Sequence, residues 1–312
     1  MSRANEIYPD DRVTLREVGL RDGLQMVKRF PSTTAKTDWI RREAAAGVRH
    51  FEIGSFLPAN RMPQFADVRE MISLCDELDL HSAALAMNDR GAEDAVQTPV
   101  GEIVNVVSAT EEHSQANMRR SRVAAVALVA KTVALAVEAP NRPLVQVGIA
   151  MAFGCSISGA VDQGEVVRLA VACAEAGADL IGLADTVGFA GPDQIADLTQ
   201  RVRTEIDVPV SVHLHDTRGL GLANASAALD AGARVLDGSL GGLGGCPFAP
   251  GATGNVVFED LVYLCERKGF ATGIDLEKLV AVREIAAAEM PDEPLYGALA
   301  RAGAPNLMSW RA

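Results

Sequence analysis

The sequence predicts an α/β fold, a closed (β/α)₈ TIM barrel with a short C-terminal helical extension. Apolar runs of β type alternate with segments of helical spacing, and eight such runs occur along the 312 residues. Eight strands alternating with helices is the number that closes a parallel barrel. No Pro- or Ser-rich linker divides the chain, so we expect one domain over residues 1–312, with the barrel over about 12–272 and a helical tail over about 273–312.

The predicted strands are the apolar runs Val13–Gly19, Val48–Gly54, Ser82–Met87, Ile103–Val107, Leu144–Ala150, Asp179–Ala184, Val208–His215 and Arg234–Gly238. The helical segments between them include Thr34–Ala46, Phe65–Leu78, Arg119–Glu138, Glu165–Ala176 and Gly221–Ala231. Three of these helices lead into an Ala-Gly pair before the next strand, where glycine supplies a left-handed cap. In the tail, Asp275 is a plausible N-cap. An open doubly wound sheet is the competing architecture, and about eight repeats make it the weaker one.

The composition narrows the classes of partner. The chain has 41 acidic and 29 basic residues, a net charge of −12, which argues against nucleic acid or an anionic membrane as a partner. Two Trp and three Tyr provide little surface for stacking bases. No apolar run approaches the ~20 residues that span a bilayer. An anionic small molecule stays possible if its pocket carries local positive charge or a metal.

The cysteines indicate a reducing compartment. Five of them lie far apart and without a Cys-x-x-Cys pair, which is typical of free thiols in the cytoplasm. The first eleven residues are polar and resemble neither a signal peptide nor an Arg-rich transit peptide. We therefore expect a cytoplasmic protein, and we expect it to form a homo-oligomer, a dimer or a tetramer.

Polar residues cluster where the predicted strands end, the face on which barrel enzymes carry their active sites. The first cluster, residues 16–25, follows strand one and contains the adjacent pair Arg21 and Asp22. A surface turn with a local ion pair is an equally good interpretation of this segment alone. The second cluster ends strand seven, where His213 and His215 are two residues apart and so share one face. That spacing favours a chelating pair for a divalent cation over two hydrogen-bonded core histidines.

A glycine-rich segment forms the third cluster. Residues 240–255 contain six glycines and two prolines around Cys246, which suggests a shaped loop over the barrel mouth. A buried inert thiol is the usual interpretation of a cysteine. A mobile lid whose thiol transfers a proton fits this loop better. Two single acids, Glu52 at the end of strand two and Asp185 after strand six, are weak signals alone because acids often cap the following helix.

Together these segments resemble the 3-hydroxy-3-methylglutaryl-CoA lyase family of metal-dependent barrel enzymes. The resemblance covers about residues 13–273 and rests on EVGLRDGLQ, HLHDT and above all GGLGGCPFAPGATGNVVFEDLVY. It implies a divalent metal, Mg²⁺ or Mn²⁺, and an acyl-CoA thioester substrate. The implied reaction cleaves 3-hydroxy-3-methylglutaryl-CoA, or a close hydroxyacyl-CoA, to acetyl-CoA and a keto acid such as acetoacetate.

The resemblance also implies roles for individual residues. The metal ligands would be Asp22, His213, His215 and Asn255. Arg21 would stabilise the enolate oxygen, Cys246 would transfer a proton from the lid, and Gln25 would line the substrate site. Glu52 and Asp185 match acidic positions that support the catalytic centre.

Some positions depart from the family pattern and leave the substrate open. Leu20 replaces the usual Pro, Met26-Val27 replaces Asn-Glu, and the segment after strand seven carries Arg218 and Leu220. A citramalyl-CoA type lyase and a Claisen-condensing synthase are therefore alternatives. The synthases share the Arg-Asp and His-x-His elements but lack the glycine-rich loop, which favours a lyase. A noncatalytic barrel that binds metal or acyl-CoA is the least favoured alternative.

Overall fold

Eight parallel strands close into a barrel in chain order in the computed structural model, which describes residues 3–245 and 254–305. The strands are β1 Thr14–Glu17, β2 His50–Ser55, β3 His81–Leu85, β4 Glu102–Ser108, β5 Leu144–Ala150, β6 Leu180–Asp185, β7 Val210–Leu214 and β8 Val235–Gly238. Each of them lies within or beside a predicted apolar run. The predicted (β/α)₈ barrel is therefore confirmed.

Helices lie in the connections on the outside of the barrel, except for the first, which precedes β1 and lies at the N-terminal end. Those within the described residues are α1 Arg3–Ile7, α2 Thr33–Ala46, α3 Val68–Glu77, α4 Asp89–Ala95, α5 Glu111–Met118, α6 Arg122–Glu138, α7 Gln163–Glu175, α8 Pro192–Glu205, α9 Gly221–Asp230, α10 Phe258–Arg267, α11 Leu276–Glu289 and α12 Leu299–Ala302. The last two form the predicted C-terminal extension. None of the helices within residues 3–245 and 254–305 is long and apolar enough to cross a membrane.

Side-chain caps fix where several helices begin. Ser32 and Ser121 accept hydrogen bonds from backbone N–H groups at the starts of α2 and α6. Asp275 does the same for α11, as its position in the sequence predicts. Such caps satisfy N–H groups that the helix itself leaves without partners. At the other end of α2, Gly47 is left-handed and turns the chain toward β2.

Several predicted boundaries differ from the structure by a few residues, and two of these differences have a clear local cause. Strand one ends at Glu17 rather than Gly19, because Gly19–Gly23 forms a single π-helical turn. The predicted helix Arg119–Glu138 begins only at Arg122, because Arg119 has a left-handed backbone that ends α5. These breaks are local and do not alter the order of the elements.

The barrel interior is polar in part at both ends, since Tyr8 donates to buried Glu102 at the N-terminal end and polar side chains line the opposite end. Ala4 and Tyr8 close the N-terminal end against Leu144, Leu180 and Val235. The larger apolar core lies between the sheet and the helices. In the middle, the pairing of β1 with β8 places Arg16 beside Asp237, both buried. The four cysteines within the described residues are free and buried.

Candidate active site

A cavity of about 140 Å³ opens at the C-terminal end of the barrel. Its wall includes side chains that follow β1 and β7, namely Arg21, Asp22, Gln25 and His215, together with Glu52 from within β2. His213 and Asp237 project into the same cavity from within β7 and β8. The first two sequence clusters, Gly245 of the third cluster and the single acid Glu52 thus converge on one space.

The turn after β1 presents two consecutive side chains to this cavity. In the π-helical turn the N–H groups of Arg21, Asp22 and Gly23 all point back to the carbonyl of Val18. The Glu17 carboxylate accepts the N–H of Gly19 and so fixes the entrance of the turn. Single π-helical turns are frequent at functional sites because they bring adjacent side chains out of ordinary helical register.

The Arg21 guanidinium lies between two carboxylates. It donates to Glu52 Oε2 at 2.7 Å and to Asp22 Oδ1, and it reaches Gln25 Oε1 at 3.3 Å. Burial alone would lower the pKa of the guanidinium, but Glu52 and Asp22 raise it above its ordinary value. Arg21 is therefore a permanent cation whose orientation is set by Glu52.

Three donor atoms come together from Asp22, His213 and His215. His215 Nε2 lies 3.1 Å from His213 Nε2 and 3.5 Å from Asp22 Oδ2, and His213 Nε2 lies 3.9 Å from the same oxygen. Ligands bound to Mg²⁺ at about 2.1 Å in an octahedron are about 3 Å apart. All three donor atoms lie within 4.8 Å of one another. The set fits a divalent cation.

Asn255 is next to this trio. Its segment lies against the ends of β7 and β8, with a bridge between His215 and Asn255. Asn255 Nδ2 donates to Asp22 Oδ2 at 2.9 Å and to the Leu243 carbonyl at 3.0 Å. Asn255 Oδ1 is buried and has no hydrogen-bond partner within the described part of the chain. A carbonyl-type oxygen left in this way fits a hard cation such as Mg²⁺ or Mn²⁺.

One glycine makes the approach of Asn255 possible. Gly244 has φ of +135°, and a Cβ built there would overlap Asn255 Nδ2. A side chain at this position would therefore be strained and would push the amide away from Asp22. This is one structural reason for a glycine in the segment that follows β8.

The neighbouring groups shift the pKa values of Asp22 and His213 in opposite directions. Burial would raise the pKa of Asp22, but the Arg21 guanidinium and then the two histidines hold it well below its usual range. Burial would lower the pKa of His213, but the hydrogen bond to Asp237 and the charge of Asp22 raise it. Asp22 is consequently an anion, the form that ligates metals.

Asp185 stands apart from this cluster. The buried carboxylate of Asp185 accepts the N–H groups of Phe189 at 2.8 Å and Ala190 at 3.1 Å, so it shapes the loop after β6. Its side chain is not part of the cavity wall, although Ala184 and Thr186 on either side are. Cys246 lies outside the described residues.

Two buried residues of the site received no role from the sequence. Asp237 accepts from His213 Nδ1 at 3.0 Å, and Arg16 forms an ion pair with Asp237 at 2.9 Å. The sequence signal that could have identified them is a charged side chain inside an apolar strand, because ions are rarely buried without a partner. Their partnership depends on strand register, which one sequence does not specify.

Comparison with known proteins identifies the family of this chain. The HMGL-like family model matches residues 12–286. The chain belongs to the HMGL-like family. A hydroxymethylglutaryl-CoA lyase of Bacillus subtilis is 36% identical over 276 residues, covering 88% of this chain and 91% of that protein. The (R)-citramalyl-CoA lyase of Chloroflexus aurantiacus is 36% identical over 305 residues, 94% of this chain and 95% of its own.

A solved structure of another HMGL-like protein has the same architecture. It is an HMG-CoA lyase from Acinetobacter baumannii in complex with coenzyme A and 3-methylmalate. The two chains superimpose with a TM-score of 0.87 at 35% identity, covering 96% of this chain and 98% of the other. The family resemblance seen in the sequence is confirmed, and this HMGL-like chain is a lyase.

Proposed function

We propose that this HMGL-like lyase cleaves a carbon–carbon bond of a 3-hydroxyacyl-CoA thioester and depends on Mg²⁺ or Mn²⁺. The observation that carries the proposal is one cavity lined by Arg21 together with the donor trio Asp22, His213 and His215. Our first candidate substrate is 3-hydroxy-3-methylglutaryl-CoA, with acetyl-CoA and acetoacetate as products. The Bacillus subtilis relative and the Acinetobacter baumannii neighbour are named for this substrate.

The ligands in this proposal are Asp22, His213, His215 and Asn255. Two imidazoles, a carboxylate and an amide oxygen suit Mg²⁺ or Mn²⁺, and they would also accept Zn²⁺ or Co²⁺. A bound divalent cation lowers the pKa of a hydroxyl that it coordinates and fixes the orientation of that hydroxyl. The substrate hydroxyl and a distal carboxylate are the groups that would approach these four residues.

Arg21 would act on the other half of the substrate. Cleavage moves negative charge onto the thioester oxygen, and a fixed cation beside that oxygen stabilises the charge as it develops. Arg21 is already held by Glu52 at 2.7 Å, so it needs no reorganisation during the reaction. Gln25 contacts Arg21 and lines the cavity, which supports its proposed place in the substrate site.

Proton transfer is proposed for Cys246 on the basis of the family resemblance. The thiol would protonate the enolate carbon or accept a proton from the hydroxyl when the glycine-rich segment covers the substrate. Asp185 is proposed to support the centre indirectly, because its carboxylate organises the backbone of Phe189 and Ala190 beside the barrel mouth.

Citramalyl-CoA is the second candidate substrate. The observation that favours it is the (R)-citramalyl-CoA lyase of Chloroflexus aurantiacus, which matches a longer part of the chain at the same 36% identity. Its cleavage would release acetyl-CoA and pyruvate rather than acetoacetate. The departures at Leu20, Met26 and Arg218 would alter loops that surround the acyl and CoA groups without altering the metal ligands.

A panel of hydroxyacyl-CoA thioesters, assayed with Mg²⁺ after chelator treatment, separates these proposals. Acetoacetate release supports 3-hydroxy-3-methylglutaryl-CoA, and pyruvate release supports citramalyl-CoA. Condensation of acetyl-CoA with a 2-oxo acid, with no cleavage, would support a synthase instead. Binding of thioesters without any turnover would overturn the lyase proposal in favour of a noncatalytic barrel.

A further inference from the structure

One carboxylate at the floor of the cavity joins the metal ligands to the barrel wall. Asp237 lies in β8 and is 5% exposed. Its Oδ2 accepts from His213 Nδ1 at 3.0 Å, and its two oxygens accept from Arg16 Nε at 2.9 Å and Nη2 at 3.1 Å. The same carboxylate thus binds an imidazole on one side and a guanidinium on the other.

The contact with Asp237 determines which nitrogen of His213 carries the proton. A carboxylate accepts hydrogen bonds only, so the neutral imidazole must place its proton on Nδ1. His213 Nε2 then carries no proton, as a metal ligand requires. It faces the Nε2 of His215, 3.1 Å away. By contrast, His215 Nδ1 is buried and has no partner within the described residues.

Arg16 prevents Asp237 from turning away. The guanidinium is 2% exposed and binds Asp237 through two of its nitrogens, a geometry that fixes the plane of the carboxylate. Its third nitrogen donates to Glu102 Oε1 at 2.8 Å and to Gln146 Oε1. Glu102 also accepts from Tyr8 at 2.6 Å. The orientation of Asp237 is therefore tied to β1, β4 and β5.

We propose that Asp237, held by Arg16, is a positioning residue that presents Nε2 of His213 to the metal. This inference rests on the proposed metal centre, and it adds a residue that belongs neither to the ligand set nor to the groups that would touch substrate. Carboxylates that accept the second ring N–H of a metal-binding histidine typically contribute 10–100-fold in metal affinity or activity.

Metal affinity measured without substrate is the direct test. Metal-free protein is titrated with Mn²⁺, and free Mn²⁺ is followed by electron paramagnetic resonance. Asp237→Asn should weaken binding by about 10–100-fold, because an amide can offer His213 either a poorer acceptor or a competing donor. Glu102→Gln is the matched control, since it also removes a buried carboxylate from Arg16 but does not contact His213. It should leave the affinity near that of the wild type.

A second variant tests the positioning role if Asp237→Asn does not fold. Asp237→Asn leaves Arg16 with one fewer counter-charge, so the double variant Arg16→Gln/Asp237→Asn removes both charges together. The double variant should show the same loss of Mn²⁺ affinity. Wild-type affinity in a folded variant that lacks the Asp237 carboxylate would overturn the positioning role, as would an equal loss in Glu102→Gln.

The same titration separates this inference from the proposed reaction. If no thioester is cleaved but Asp237→Asn weakens Mn²⁺ binding and Glu102→Gln does not, the positioning role stands and the substrate proposal fails. If the wild type cleaves thioesters and Asp237→Asn binds Mn²⁺ normally, the reaction stands and the positioning role fails.

Discussion

Arg21 is the residue whose surroundings most clearly suggest a role in the transition state. Its side chain is 14% exposed at the cavity and is held by Glu52 and Asp22. A cation that is fixed before substrate arrives does little to stabilise the bound substrate in its ground state. It stabilises the negative charge that appears only during cleavage. The same contacts mean that removal of Arg21 leaves two acidic groups without their cation.

We therefore expect Arg21→Met to lower kcat by about 10²–10³-fold with a modest change in KM. Arg21→Lys should recover part of the loss, because it restores the charge without the forked geometry. Steady-state kinetics of both variants, with circular dichroism to monitor folding, make the measurement. A raised KM with an unchanged kcat would instead show that Arg21 anchors the substrate.

Among the elements of the barrel, the buried side chain of Glu17 joins two loops that carry the site. Glu17 at the end of β1 accepts the N–H of Gly19 at 2.8 Å and of Leu240 at 2.9 Å. It therefore connects the turn of Arg21 and Asp22 with the segment after β8. Burial is the main cause that raises the pKa of Glu17 to about 8, and backbone N–H groups only partly oppose it.

This pKa predicts a pH dependence of stability. Between about pH 4.5 and pH 8 the folded state holds the Glu17 proton and the unfolded chain does not, so the free energy of unfolding falls as pH rises. The slope for one such group is at most about 1.4 kcal/mol per pH unit. Glu17→Gln keeps an acceptor oxygen and should flatten the slope, as seen by urea unfolding at several pH values. An unchanged slope would contradict this, and Glu175→Gln controls for loss of an exposed acid.

The thiol of Cys246 in the glycine-rich segment has a predicted reactivity. If Cys246 transfers a proton from a segment that closes over substrate, it should react with an alkylating reagent in the free enzyme. Saturating substrate should protect it, and Cys246→Ser should retain Mn²⁺ binding while losing most turnover. Mass spectrometry of the modified protein distinguishes Cys246 from Cys155. Normal turnover by the serine variant would assign the thiol a structural role.

The sequence predicted elements better than it predicted contacts between them. The eight strands were evident from apolar runs, and the alternation of side chains along β7 placed His213 and His215 on one face. The contact of His213 with Asp237 depends on how β7, β8 and β1 align, which no local pattern encodes. The orientation of Asp185 toward backbone N–H groups likewise depends on the path of the loop after β6.

At the scale of the whole molecule, the barrel and its C-terminal helices form a continuous structure. Arg42 on α2 donates to Glu284 at 2.5 Å and to the Ala281 carbonyl at 2.9 Å on α11. Arg283 on α11 forms an ion pair with buried Glu259 at 2.6 Å. We propose that the chain is one catalytic domain and expect a single unfolding transition in calorimetry. Two separated transitions would contradict a single domain.

The net charge of −12 bears on substrate binding by the whole molecule. A CoA thioester is an anion, so general attraction to this protein is weak and its recognition must rely on local positive charge. In the proposed site that charge comes from Arg21 and from a cation held by Asp22, His213 and His215. We therefore expect both binding and cleavage of the substrate to depend on the metal centre.

The decisive measurement is turnover of the active thioester from the panel against Mg²⁺ concentration after chelation. The wild type should be inactive without metal and should recover activity on addition of Mg²⁺ or Mn²⁺. His213→Ala and His215→Ala should stay folded and lose metal-dependent turnover, because each removes one of the clustered donors. The proposed metal centre would be contradicted by full activity of either variant at ordinary Mg²⁺, or by chelator-resistant turnover of the wild type.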